Sequence, residues 1–126
     1  MYPDQVHHPK HYTHYKGMEV IDLTRRMMFN TGNAVKYIAR AGLKNPETEI
    51  EDLEKAIWYL RDEMRNNPVY IPIPATMYGE YPFKLSRQLN THRGDAVECI
   101  CLGTYAALGQ AITFLELEIR RLQSQD

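Results

Sequence analysis

The sequence is organised around residues 32–44, which read Gly-Asn-Ala-Val-Lys-Tyr-Ile-Ala-Arg-Ala-Gly-Leu-Lys. At 3.6 residues per turn, this stretch separates into an apolar face and a polar face. The polar face carries an amide, two cations and a tyrosine, namely Asn33, Lys36, Tyr37 and Arg40. We predict an amphipathic helix that packs through its apolar face. Its polar face is equipped to bind a phosphate and a base.

Helix boundary signals lie on both sides of this stretch. The tripeptide Asn30-Thr31-Gly32 predicts a cap before the helix. Gly42 predicts its end, because glycine readily adopts the left-handed conformation that closes helices. Upstream, apolar residues recur at helical spacing from about Glu19 to Met28, which predicts a short first helix.

A third helix is predicted from Asn45-Pro46 onward, with acidic residues in its first turns. Apolar residues recur along it at intervals of three and four, as expected for a buried seam. A second polar strip, formed by Asp52, Lys55 and Tyr59, runs along its other side. Two neighbouring helices therefore both present charge and tyrosine. We expect these strips to form the two walls of a cleft.

The second half of the chain has a different character. Prolines are frequent between residues 66 and 90, which excludes a central strand and predicts an extended segment, mostly packed on the helices. From about Asp95 to Gln123, apolar residues alternate by threes and fours, which predicts one helix of roughly 43 Å. A helix of that length overhangs a small core and typically contacts another subunit. We expect a homo-oligomer.

These patterns predict an all-α fold, a small helical bundle forming a single domain over residues 1–126. Its parts are a His- and Tyr-rich arm (1–16), a helical nucleotide-binding core (17–66), a proline-rich extended segment (67–93) and a long C-terminal helix used for oligomerisation (94–124).

The amino-acid composition restricts which partners and which cell compartment we expect for the protein. With 15 basic and 16 acidic residues, the chain has a net charge of −1, which disfavours duplex nucleic acid and anionic membranes as partners. No apolar run approaches the roughly 20 residues of a membrane span, and the amino terminus lacks signal-peptide character. The two cysteines, Cys99 and Cys101, are poorly placed to bridge each other, which fits a reducing compartment. We expect a cytoplasmic protein.

Histidines cluster in the arm, where His8, His11 and His14 are spaced three apart. Zinc sites use such clusters, but no cysteine lies nearby and no His-Glu-x-x-His pattern is present. We favour His8 and His11, with Tyr12, as lid residues that contact a ligand or pack on the body, and we predict no metal site in the protein.

Acidic residues allow another hypothesis. All-α nucleoside triphosphate pyrophosphohydrolases hold magnesium ions between acidic residues of two facing helices. Glu51, Asp52 and Glu54 supply one half of such a pattern, and Asp95 with Glu98 imitates the other. These residues equally suit helix starts, where the helix dipole favours carboxylates. No P-loop and no Gly-x-Gly-x-x-Gly fingerprint occurs.

Three blocks of the sequence resemble a small bacteriophage family. They are His-Pro-Lys-His-Tyr at 8–12, the stretch at 32–44, and Asp-Leu-Glu-Lys-Ala-Ile-Trp-Tyr-Leu at 52–60. The family was long described as a domain of unknown function, and it includes the deoxynucleoside monophosphate kinase of T-odd coliphages, which lacks a P-loop. The resemblance covers residues from about 6 to 65. It implies nucleotide binding at the matching positions His8, His11, Tyr12, Asn33, Lys36, Tyr37, Arg40, Lys44, Asp52, Lys55 and Tyr59.

The leading hypothesis is a phage nucleotide kinase that acts in the cytoplasm of an infected bacterium. It would transfer a phosphoryl group from ATP to a deoxynucleoside monophosphate, with Mg²⁺ as cofactor if the protein is an enzyme. Lys36 and Arg40 would neutralise phosphate charge with help from Lys44, and Asp52 would orient a lysine or magnesium. Tyr37 and Tyr59 would frame the base. Alternatives are a non-catalytic sponge for a nucleotide signal of host defence and the pyrophosphohydrolase.

Overall fold

The structure is a computed structural model and describes residues 14–125. This range contains α-helices and two short 3₁₀ turns but no β-strand, so the predicted all-α bundle is confirmed. The helices are α1 (Val20–Thr24), α2 (Phe29–Arg40), α3 (Glu49–Asn66), α4 (Tyr81–Ser86), α5 (Thr91–Leu102) and α6 (Tyr105–Gln123). Each helix in the described range is too short or too polar to cross a membrane.

Helix α2 is the predicted amphipathic helix, but it begins earlier than expected. Met28 is already extended, with φ −71° and ψ 166°, and the helix starts at Phe29. The predicted cap at residues 30–32 is therefore wrong, since these residues lie inside the helix. Gly32 still has a role, because a Cβ there would lie 3.4 Å from the Thr24 carbonyl oxygen of α1. The predicted end is confirmed by Gly42, whose φ is +83°.

Helix α3 starts as the sequence indicates. The Asn45 side chain accepts a hydrogen bond from the Glu47 amide at 3.0 Å and caps the 3₁₀ turn Pro46–Thr48, which leads into the α-helix. The middle of the predicted seam is buried and packs in one core with the apolar face of α2. The two polar strips lie along the edge of this core: Tyr37 and Tyr59 pack against it, and Asp52 is buried.

The predicted helix over 94–124 is two helices. Gly103 has φ +75°, and Thr104 caps α6 by accepting a hydrogen bond from the Ala107 amide at 3.1 Å. Helices α5 and α6 then pack against each other, and α6 also packs against α3. Apolar residues of both helices are buried inside the domain, namely Val97, Ile100, Leu108, Ala111 and Leu115. The homo-oligomer was predicted from one long helix that extends beyond the core. The described residues contain no such helix.

The proline-rich segment 67–93 is also more structured than predicted. It contains α4 and the start of α5, and two backbone hydrogen bonds fasten its extended part across the turn between α5 and α6. Tyr78 and Leu85 are buried, whereas Tyr70 and Ile71 are 75% and 78% exposed. The expectation that most of the segment packs on the helices fails at this exposed stretch.

Candidate functional site

Side chains of α2 and α3 form a compact group that we call the tyrosine–cation cluster: Lys36, Tyr37, Arg40, Lys55 and Tyr59. The two tyrosine rings stack with centroids 5.8 Å apart and planes inclined by 15°. Lys36 Nζ, Arg40 Cζ and Lys55 Nζ lie 5.4, 5.2 and 5.5 Å from the centre of the Tyr37 ring. The electron-rich face of an aromatic ring attracts cations, so Tyr37 helps to gather three positive groups.

A buried ion pair lies at the edge of this cluster. Asp52 is 1% exposed, and its Oδ2 is 3.8 Å from Nε of Arg40. Neither of these two atoms has a hydrogen-bond partner among the described residues. Buried polar atoms are almost always hydrogen-bonded, and exceptions concentrate at functional or strained positions. The two side chains therefore attract each other by charge, but the facing atoms lack hydrogen bonds.

The cluster has an excess of positive charge. Asp52 faces Arg40, and Glu51 reaches Lys55 at 4.0 Å on the exposed surface of α3, where such pairs are weak. Within residues 14–125, Lys36 forms no ion pair. An anionic ligand at this face would meet three cations and one buried carboxylate, which favours phosphate binding.

The other predicted site residues lie outside the cluster. Asn33 donates its side-chain amide to the Phe29 carbonyl at 2.7 Å and lines a cavity of about 180 Å³ beside Lys36. Lys44 is exposed beyond Gly42 and joins none of the ion pairs or cation–ring contacts of the described chain. His8, His11 and Tyr12 lie outside the described residues.

The arm approaches the site at its described end. Tyr15 is buried, and its hydroxyl donates to the Ala39 carbonyl oxygen at 2.6 Å. Burial raises the pKa of Tyr15 to about 12, although the charge of Arg93 acts in the opposite direction. The phenol therefore stays protonated and holds the chain on the last turn of α2, one residue before Arg40.

A second buried charge group was missed from the sequence. This Arg93–Glu118 network consists of Glu49, Asn90, Arg93, Glu118 and Arg121. Glu118, fully buried, accepts hydrogen bonds from Arg93 Nε at 2.8 Å, from Arg121 Nε at 2.7 Å and from the Asn90 amide. Burial alone would raise the pKa of Glu118, but the hydrogen bonds from Arg121, Asn90 and Arg93 and the charge of Arg93 lower it to about 2. The sequence does contain a signal for this network. Glu118 follows Leu115 by three residues and therefore lies on the apolar face of α6, where a carboxylate needs a buried partner.

The acidic residues of the pyrophosphohydrolase hypothesis do not assemble. Asp95 and Glu98 lie on α5, and Glu98 lines a mostly apolar cavity of about 290 Å³ with Cys101. Over residues 14–125, no three His, Cys, Asp or Glu side chains come together in a way that could hold a metal ion. Asp52 faces a cation instead.

Comparison with known proteins gives a family match over part of the chain. Residues 6–61 match the model of a family described as a protein of unknown function, DUF3310. The match includes α1, α2 and most of α3, and hence the whole tyrosine–cation cluster. The proline-rich segment and helices α4 to α6 lie beyond it. No curated protein and no solved structure matches the chain.

Proposed function

We propose that this protein binds nucleotides on the face shared by α2 and α3, and that it transfers a phosphoryl group from ATP to a deoxynucleoside monophosphate. The observation that carries the proposal is the tyrosine–cation cluster, in which three cationic groups lie within 5.5 Å of the centre of one tyrosine ring. Cations next to stacked aromatic rings suit a molecule that is anionic at one end and planar at the other.

The reaction needs little covalent chemistry from the protein. A phosphate oxygen of the monophosphate attacks the γ-phosphorus of ATP, the bond from that phosphorus to the β-phosphate oxygen breaks, and ADP leaves with the electron pair. The products are ADP and a deoxynucleoside diphosphate. Catalysis of this class rests on positioning and on neutralising charge that spreads over the transferred group.

The residues have distinct proposed roles. Lys36, Arg40 and Lys55 neutralise phosphate charge, and Asp52 restricts the orientation of Arg40. Tyr37 and Tyr59 stack on each other, so they offer a base an outer face of the stack and not a slot between two rings. Lys44 is exposed on the turn that follows α2 and adds a further positive charge on this side of the protein.

The discriminating experiment incubates the protein with ATP, Mg²⁺ and each of the four deoxynucleoside monophosphates, followed by ion-exchange chromatography. New diphosphates with an equal amount of ADP support the kinase. Binding measured by calorimetry without new products identifies a non-catalytic nucleotide binder, such as the sponge. Loss of triphosphate with release of pyrophosphate identifies the pyrophosphohydrolase. No binding of any nucleotide overturns the proposal.

A variant pair links the result to the cluster. Arg40→Ala removes the cation between Tyr37 and Asp52, and we expect nucleotide affinity to fall about 100-fold, as for a charged contact to phosphate. Arg61→Ala removes an exposed arginine of α3 that pairs with Glu116 on α6. It should leave affinity unchanged. If Arg40→Ala is folded and binds like the unmodified protein, the site is elsewhere.

A further inference from the structure

The guanidinium of Arg93 joins the two helices that carry the candidate site. Its Nη1 donates to the Ala41 carbonyl at 3.0 Å, just beyond the end of α2. Its Nη2 pairs with the carboxylate of Glu49, the first residue of α3. Arg93 is only 7% exposed. One buried side chain of α5 therefore spans the whole connection between α2 and α3.

The two anchor points lie next to the unsatisfied ion pair. Ala41 directly follows Arg40, and Glu49 precedes Asp52 by three residues on the same helix. Ala41 is joined to Arg40 by one planar peptide bond, and Glu49 lies on the same helical turn as Asp52, so a displacement at either anchor moves its neighbour in the site. Arg93 is thus bonded next to both members of the pair, whose Nε and Oδ2 atoms lie 3.8 Å apart.

Two further contacts fix how Arg93 makes this bridge. Glu118 accepts from Nε at 2.8 Å, so the guanidinium is held by one edge while both Nη atoms point to the anchors. Gly42 leaves room for the second anchor, because a Cβ there would lie 2.8 Å from Oε2 of Glu49. The planar fork of arginine suits this three-way contact, and a lysine ammonium lacks its geometry.

We propose that Arg93 is a positioning residue for the nucleotide site, which it controls through Ala41 and Glu49 without contacting the ligand. The proposal rests on the proposed nucleotide binding. Arg93 lies outside the family match at residues 6–61. The second half of the chain thus takes part in the site by setting the relative placement of α2 and α3.

The test compares Arg93→Lys with Arg121→Ala. Both weaken the bonds to Glu118, but Arg121 has no contact with α2 or α3 among its described hydrogen bonds and ion pairs. We expect Arg93→Lys to weaken binding of ATP and of the deoxynucleoside monophosphates about tenfold or more, since small misplacements of binding groups have effects of this size. Arg121→Ala should change affinity less than about twofold at a similar loss of thermal stability. Equal affinities of the two variants overturn the proposal.

Binding is measured by calorimetry and by the fluorescence of Trp58, the only tryptophan of the chain. Its ring lies 5.2 Å from that of Tyr59, so it reports on the cluster. In double variants, the effect of Arg93→Lys should be non-additive with Asp52→Asn, whose placement Arg93 controls, and additive with Lys36→Ala. Additivity with both overturns the positioning role.

Two further experiments distinguish a failure of the positioning proposal from a failure of the proposed nucleotide binding. If Arg93→Lys does not fold, Glu49→Gln loosens one anchor and should weaken binding about threefold or more; unchanged affinity counts against the proposal. If the unmodified protein binds no nucleotide, the proposed function fails by itself. Hydrogen exchange then tests the positioning. Arg93→Lys, and not Arg121→Ala, should accelerate exchange of the Leu43 and Lys44 amides, which bond to the Arg40 carbonyl.

Discussion

The molecule contains two buried charge groups that differ in how well they are satisfied. In the Arg93–Glu118 network, the donor nitrogens of Arg93 bond to Glu118, Ala41 and Glu49. In the Arg40–Asp52 pair, the facing atoms are 3.8 Å apart and share no hydrogen bond. The first group holds four helices or helix ends together. The second lies beside two further cations, Lys36 and Lys55, and the stacked tyrosines. Complete satisfaction is typical of a structural network, whereas the unsatisfied pair is the exception to which the proposed nucleotide site gives a reason.

The largest difference should appear when each buried carboxylate is neutralised without changing its shape. Glu118→Gln removes the buried carboxylate that Arg93 and Arg121 share and leaves Glu49 as the remaining partner of Arg93, so we expect a loss of about 3 kcal/mol or more in the free energy of unfolding. Urea denaturation measures this loss. Glu116→Gln on the same helix is the control, because its pair with Arg61 is exposed and is worth less than about 1 kcal/mol. Equal losses would contradict the structural role of the network.

The network should also give the protein a defined acid sensitivity. The pKa of Glu118 lies at about 2, below its ordinary 4.5, so the folded state favours the carboxylate more than the unfolded chain does. Its contribution is complete above pH 4.5 and is lost as the pH falls toward 2, by at most about 3 kcal/mol. Unfolding midpoints in urea, measured across this range, test it. Glu118→Gln should weaken the dependence of the unfolding midpoint on pH. If the dependence is unchanged in this variant, other carboxylates cause it.

Gly42 lies between the two groups and should show a smaller effect. Its φ of +83° disfavours any side chain, and a Cβ would press on the Glu49 carboxylate that Arg93 holds. We expect Gly42→Ala to cost about 1–2 kcal/mol. Gly109→Ala is the control, because that glycine is helical and has only an ordinary contact with Met64, so alanine should stabilise by about 0.5–1 kcal/mol. A neutral Gly42→Ala would mean that the turn tolerates rearrangement.

The smallest change in stability should come from Asp52→Asn. Oδ2 accepts no hydrogen bond from the described residues, and removing the charge relieves the cost of burying a carboxylate. We expect the free energy of unfolding to change by less than about 1 kcal/mol, whereas nucleotide affinity should fall because Arg40 loses its orienting partner. Denaturation and binding are measured on the same sample. A loss as large as that of Glu118→Gln would show that the two groups do not differ.

Local signals predicted the first half of the fold well. The amphipathic stripe located α2, Gly42 marked its end, and Asn45-Pro46 marked the start of α3. Each is a property of neighbouring residues. The helix break at Gly103 was missed because the apolar period continues through it. The need for glycine there comes from its positive φ and from the close approach of Ile73, and neither is visible in the periodicity. Helix α4 was missed because Pro82 lies in its first turn and three more prolines, at positions 68, 72 and 74, precede it.

Some features of the candidate site were likewise predictable from local sequence, and others were not. Helical spacing predicted that Lys36, Tyr37 and Arg40 share a face and that Lys55 and Tyr59 share another. It could not predict that Asp52 is buried against Arg40 without a hydrogen bond, since that depends on the distance between two helices. The role of Arg93 was beyond local reasoning, because 52 residues separate it from Ala41, the carbonyl it binds.

The sequence by itself determined the all-α class, the approximate positions of α2 and α3 and the residues that line each polar strip, because periodicity and capping act over a few residues. The first helix, predicted to reach about Met28, ends at Thr24. Tertiary structure decided that the C-terminal seam folds into a hairpin, that Glu118 is buried, and how far Arg40 stands from Asp52. These features depend on which distant surfaces meet. The physical reason is that burial and ion-pair distance are properties of packed helices and not of any single helix.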